Sequence, residues 1–159
     1  AIRIAKEFGL SMTLDHCSEG HLIAEEIKES GFPAIVGPDM ASRHKLEVQN
    51  MACTTVGILT RKGIRTAIMT DHPVSMIQFL PICAGLAVKS GLPAQEGLRS
   101  ITINAAKICG VADRVGSLEV GKDGDVVIFD GSPLEVFTRA LCTIIERKIV
   151  YQDENTGFL

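Results

Sequence analysis

Two Asp-His dipeptides, Asp15-His16 and Asp71-His72, stand where short apolar runs end, and the loop after a third such run carries Arg43 and His44. A carboxylate at one strand end with imidazoles on neighbouring strands can hold a hard or borderline divalent ion, and the carboxylate can take a proton from water bound to it. That is hydrolase chemistry. All four histidines of the chain lie in or just after such loops. Plainer uses exist for the same residues. His21 follows Gly20 in the first turn of a helix, where a surface or capping role competes with a substrate contact. Arg43 and His44 suit an anionic or carbonyl part of a substrate and equally suit solvent. His72 is pre-organised by Pro73 and fits an active-site role or an exposed one.

These residues need rigid elements behind them. Residues 1–8 carry an apolar helical stripe that stops at Gly9, so the spacing predicts a helix already under way at residue 1. Residues 10–14 read as a strand, with Ser18 as N-cap of a helix over 19–30 closed by Gly31. Residues 33–37 read as a second strand, 48–62 as a helix ended by Gly63, and 65–69 as a third strand running into Asp71. Two further helices are expected over 76–90 and 93–109. Strands alternating with helices imply parallel pairing, because parallel strands need long crossovers. In such folds functional groups collect at the C-terminal ends of the strands, where the Asp-His pairs fall. From residue 113 the pattern changes to β-like segments at 115–118, 125–129 and 141–150 separated by Gly-rich turns. The expected division is therefore an α/β part over 1–112 and a β-rich tail over 113–159.

Composition narrows the partners. Of 159 residues, 46% are hydrophobic and 22% charged, which is the make-up of a folded domain. Net charge is −3 with sixteen dispersed Lys and Arg, which argues against nucleic acid. The longest apolar stretch, 76–88, is interrupted by Gln78, Pro81 and Gly85 and is too short for a membrane span. Five scattered cysteines (17, 53, 83, 109 and 142) without a CxxC pair point to free thiols in a reducing, cytoplasmic setting. Cys17, beside His16, is the one to test for reactivity.

The stretches TAIMTDHPV (66–74) and SITINAAKICGVADRVGSLEVGKDGDVVIFDGSPLEV (100–136) resemble the amidohydrolase superfamily, and its imidazolonepropionase-like branch in particular. The family pattern of a Thr-x-Asn-Pro-Ala-x-x-x-Gly helix, a Gly-Ser-Leu-x-x-Gly-Lys-x-Ala-Asp hairpin and a Val-Val-hydrophobic-Asp strand is present, with Ala105 in place of Pro and Gly124 in place of Ala. The resemblance implies the C-terminal portion of a TIM-like (β/α)8 barrel, strands six to eight, followed by part of a small β domain. It implies Asp71 as metal ligand and general base at the end of strand eight. His16 resembles the histidine after strand six, which contacts a second metal or the polarised substrate carbonyl. The implied cofactor is a divalent metal, zinc foremost, and the implied substrate a small molecule. The family's His-x-His pair has no counterpart in the chain, so the chain alone is expected to be inactive and to self-associate or pair with a missing N-terminal part. Cleavage of a C–N bond in a cyclic amide, or a deaminase variant of it, is the leading expectation. A non-catalytic remnant or a module completing a partner chain is the alternative. A nucleotide-binding domain is disfavoured by the lack of a GxGxxG or GKS/T loop.

Overall fold

The computed structural model of the chain describes residues 1–43 and 45–155. Helix α1 (Ile2–Phe8) ends at Gly9, and residue Leu14 forms a parallel bridge with Ala34 in strand β1 (Ala34–Val36). β1 pairs in parallel with β2 (Thr66–Ile68), in the register Ala34 to Thr66 and Val36 to Ile68. Leu14, β1 and β2 thus lie side by side in one direction, as the alternation of apolar runs and helices requires.

The crossovers are helical, as expected for parallel neighbours. A 3-10 turn (Gly20–Ile23) feeds α2 (Ala24–Ser30), which Gly31 closes in the left-handed conformation. α3 (Thr55–Arg61) joins β1 to β2. Its start is later than the spacing suggested. Residues 46–48 form a separate 3-10 turn, and the Asn50 N–H donates to Glu19 Oε1 at 2.6 Å instead of entering a helical ladder. After β2 come α4 (Leu80–Lys89), α5 (Ala94–Ser100) and α6 (Ile103–Ile108). The one helix expected over 93–109 is broken at Thr102. Ser100 Oγ donates to Gly97 O and Thr102 Oγ1 to Leu98 O, a local side-chain alternative to continuing the ladder.

The core lies between β1, β2 and these helices. Ile27, Val36, Val56, Leu59 and Cys83 are fully buried, joined by Ala84 and by Leu134 from the later part of the chain. A Cβ at Gly85 would stand 2.4 Å from Leu134 O, so the absent side chain is what lets the segment around Leu134 lie against α4. The edge of β2 is engaged too, since Asn104 of α6 donates to Thr66 O at 3.1 Å.

Strands β3 (Val126–Phe129), β4 (Ala140–Ile145) and β5 (Lys148–Gln152) form an antiparallel sheet in sequential order. The stretch expected as one segment over 141–150 is a hairpin, turning at Glu146 and Arg147, both with positive φ. Residues 115–118 are not a strand. Gly116 (φ 94°) lies so close to Ile103 and Ala106 that a Cβ would clash, which folds this stretch onto α6. No helix among the described residues is long and apolar enough to cross a membrane.

Candidate active site

Asp71 lies three residues beyond the end of β2, and His16 two residues beyond Leu14, which forms only an isolated parallel bridge and not the strand expected over 10–14. His16 and Asp71 both have left-handed backbones (φ 63° and 52°), a conformation that non-glycine residues adopt only where their surroundings enforce it. At Asp71 the enforcing contacts are a turn in which the Val74 N–H donates to Asp71 O at 2.8 Å and the Ser75 N–H to Thr70 O at 3.1 Å. Both residues line one cavity of about 380 Å³, whose wall also includes Ser18, Pro38, Lys45, Glu47 and Met51. The fold therefore brings together a carboxylate and an imidazole that are 55 residues apart in sequence.

His16 is exposed. Its Nδ1 lies 3.2 Å from Gly37 O. A carbonyl oxygen only accepts, so Nδ1 carries a proton, and in the neutral ring Nε2 keeps its lone pair. A backbone carbonyl on one ring nitrogen is the usual way a protein leaves the other nitrogen ready for a metal or a proton. His16 and Asp71 are thus two donors of the correct chemistry. Among the described residues no three His, Cys, Asp or Glu converge to hold a metal. Sites of this kind take three or more protein donors, so these two residues alone do not make one.

The other sequence candidates are placed differently. Arg43 is exposed and its Nη2 donates to Met51 O at 2.7 Å, fastening the loop that follows β1. His72 is exposed beside Asp71, and the cavity wall does not include it. His44 lies outside the described residues. His21 Nδ1 is 2.8 Å from Thr55 Oγ1, and the Thr55 hydroxyl donates to Ser18 O at 3.0 Å. The single hydroxyl proton is thereby used, so His21 donates and serves to tie the turn before α2 to α3.

Asp39, two residues beyond Gly37, was not among the sequence candidates. Its Oδ1 is buried without a hydrogen-bond partner among the described residues, and burial pushes its carboxyl up to about 6. Burial, and then the charge of Asp39, also push up the thiols of Cys53 and Cys83. Nothing in the sequence marks this Asp off from a solvated loop residue. Because the folded chain holds this proton at a pH where the unfolded chain releases it, stability falls as pH rises from about 3.8 towards about 6. The loss is up to about 3 kcal/mol. We expect Asp39→Asn to match the parent near pH 4 and to exceed it in stability above pH 6. Melting curves of both proteins across that range check this, and a pH-independent difference would count against it.

A model of the amidohydrolase family matches residues 2–155. The imidazolonepropionase of Brevibacillus brevis is 38% identical over 109 residues, which is 67% of this chain and 24% of that protein. A 5-methylthioadenosine/S-adenosylhomocysteine deaminase of Teredinibacter turnerae is 28% identical over 144 residues, 82% of this chain and 31% of that protein. The crystal structure of an amidohydrolase from Thermotoga maritima superposes with a TM-score of 0.91 at 35% identity, over 96% of this chain and 40% of that one. The chain spans less than half the length of each of these relatives.

Proposed function

The chain belongs to the amidohydrolase family, and from that premise we propose that it forms the last three strands, six to eight, of the TIM-like (β/α)8 barrel of a metal-dependent hydrolase. Residues 1–112 are the barrel part and 113–159 a share of a small β domain. The reaction is cleavage of a C–N bond in a small molecule, either a cyclic amide or the amino-substituted ring of a deaminase substrate. Relatives named imidazolonepropionase and 5-methylthioadenosine/S-adenosylhomocysteine deaminase support that range.

The observation that carries the proposal is the shared cavity of His16 and Asp71 at the strand ends, with Nδ1 of His16 tied to Gly37 O. The family is generally metal-dependent, and a divalent ion, zinc in this proposal, would supply Lewis-acid polarisation of the carbonyl and the attacking water. Asp71 would be one ligand and would accept the proton of that water, then return it to the departing nitrogen. His16 would use Nε2 as a metal donor or as a partner of the substrate carbonyl. Arg43 and His72, on the loops after β1 and β2, are assigned to the remainder of the substrate, as is His44, which lies outside the described residues. The Arg43 guanidinium has five N–H donors, one of which goes to Met51. The remaining metal donors would come from a part of the enzyme outside the described residues, and pairing of this chain with that part is included in the proposal.

The test is made on the full-length enzyme with imidazolone and aminopurine substrates. His16→Ala is expected to lower turnover by about 10²-fold or more while the principal metal is retained. Metal analysis beside kinetics decides between roles. Loss of all metal would make His16 a primary ligand, and unchanged turnover would remove it from the site.

A further inference from the structure

We infer that Ser18 is a positioning residue for His16, holding the imidazole in its Nδ1–H form so that Nε2 is the nitrogen left for chemistry. The inference rests on the role proposed for His16. It starts from the exposure of that ring. The residue is exposed, so polar contacts at the strand ends weigh heavily on the ring's orientation and tautomer.

Those contacts form a closed set. The Gly37 N–H donates to His16 O at 3.2 Å, and His16 Nδ1–H donates to Gly37 O at 3.2 Å. Ser18 bridges the same two carbonyls, with Oγ 3.0 Å from His16 O and 3.4 Å from Gly37 O. The single Ser18 hydroxyl proton serves His16 O, the nearer acceptor, or is shared between the two carbonyls. The sequence suggested Ser18 as a helix N-cap. Instead its hydroxyl turns away from α2 towards the strand ends, and no side chain caps the 3-10 turn that follows.

Two further facts separate Ser18 from an ordinary loop serine. It is 6% exposed, and its own carbonyl is fixed by the hydroxyl of the fully buried Thr55, which anchors it to α3. In addition, His16 and Cys17 both have positive φ (63° and 25°), so the backbone that presents the ring needs external contacts to persist. Ser18 is the only side chain among the described residues that bonds to both carbonyls of this set. Without the hydroxyl, the 16–18 turn loses the one donor that lies between His16 O and Gly37 O, and the ring can leave Gly37 O.

The tautomer is read directly from nitrogen-resolved NMR of the imidazoles in the full chain at alkaline pH, where histidine is neutral. His16→Gln identifies the His16 signals. The parent is expected to show the Nδ1–H pattern at His16. Ser18→Ala is expected to lose it for a mixture with the Nε2–H form, with an unchanged far-ultraviolet circular dichroism spectrum. Ser18→Thr, which keeps the hydroxyl, is expected to restore the parental pattern. An intact Nδ1–H pattern in a folded Ser18→Ala overturns the inference. So does a Ser18→Ala chain that fails to fold while Ser18→Thr folds without the Nδ1–H pattern. Because the readout is the state of the ring rather than turnover, a full-length enzyme that hydrolyses none of the substrates offered would refute the proposed function and leave this result standing.

Discussion

In the full-length enzyme Asp71→Asn is expected to lower kcat by about 10²–10⁴-fold, the contribution of a general base, with little change in fold. The substitution is chosen for what it keeps. Asn is the same size as Asp and is one of the few residues that tolerates a left-handed backbone, so the turn at φ 52° and its bonds from Val74 and Ser75 should survive. What it removes is the ability to take a proton from water and the negative charge offered to a cation. Among the described residues the carboxylate makes no hydrogen bond or ion pair, so the loss has no structural compensation to confuse it. Turnover at saturating metal, metal content and melting temperature should be measured on one preparation. Turnover close to the parent's in metal-saturated Asp71→Asn would mean that another group is the base.

The places of His16 and Asp71 were legible because each apolar run is short, stops at polar residues and is followed by a helix that ends in glycine, although residues 10–14 form only the Leu14 bridge and no strand. That pattern fixes both the parallel arrangement and the side of the sheet where polar groups collect. Local competition was harder to read. The delayed start of α3 depends on Glu19, distant in sequence, taking the N–H of Asn50. The break at Thr102 coincides with its hydroxyl donating to Leu98 O. The β4–β5 hairpin was missed because its turn uses Glu146 and Arg147, where no Asn-Gly or Asp-Gly pair announces positive φ. Asp39 and Ser18 escaped for a related reason: an isolated Asp or Ser in a loop carries no signal of whether its side chain is wet or enclosed. Cys53 and Cys83, whose thiols feel the charge of Asp39, come near it only once the chain has folded.

Gly37→Ala is expected to be the most damaging Gly→Ala change among the described residues, costing more than about 3 kcal/mol. Two penalties coincide. At φ 138° the backbone lies in a region that a Cβ makes unfavourable, and the Cβ itself would stand 2.2 Å from Met69 O. The obstacle is a backbone carbonyl, and it cannot swing aside like a side-chain tip. Met69 is also held in place, because its N–H donates to Val36 O at 2.9 Å as the last rung between β1 and β2. Relief therefore requires the strand ends to part, and this is where Gly37 grips His16 on one side while Met69 leads to Asp71 on the other. Gly63→Ala is the comparison, with φ 81° and nothing within 4 Å of the new Cβ. It should cost only the left-handed backbone penalty, about 1–2 kcal/mol. Urea denaturation of both variants separates steric from torsional cost, and a Gly37→Ala protein as stable as Gly63→Ala would show that the strand ends give way freely. If they do not, the methyl should also release the His16 ring from Gly37 O, so the loss of stability and the loss of the Nδ1–H form should appear in the same protein.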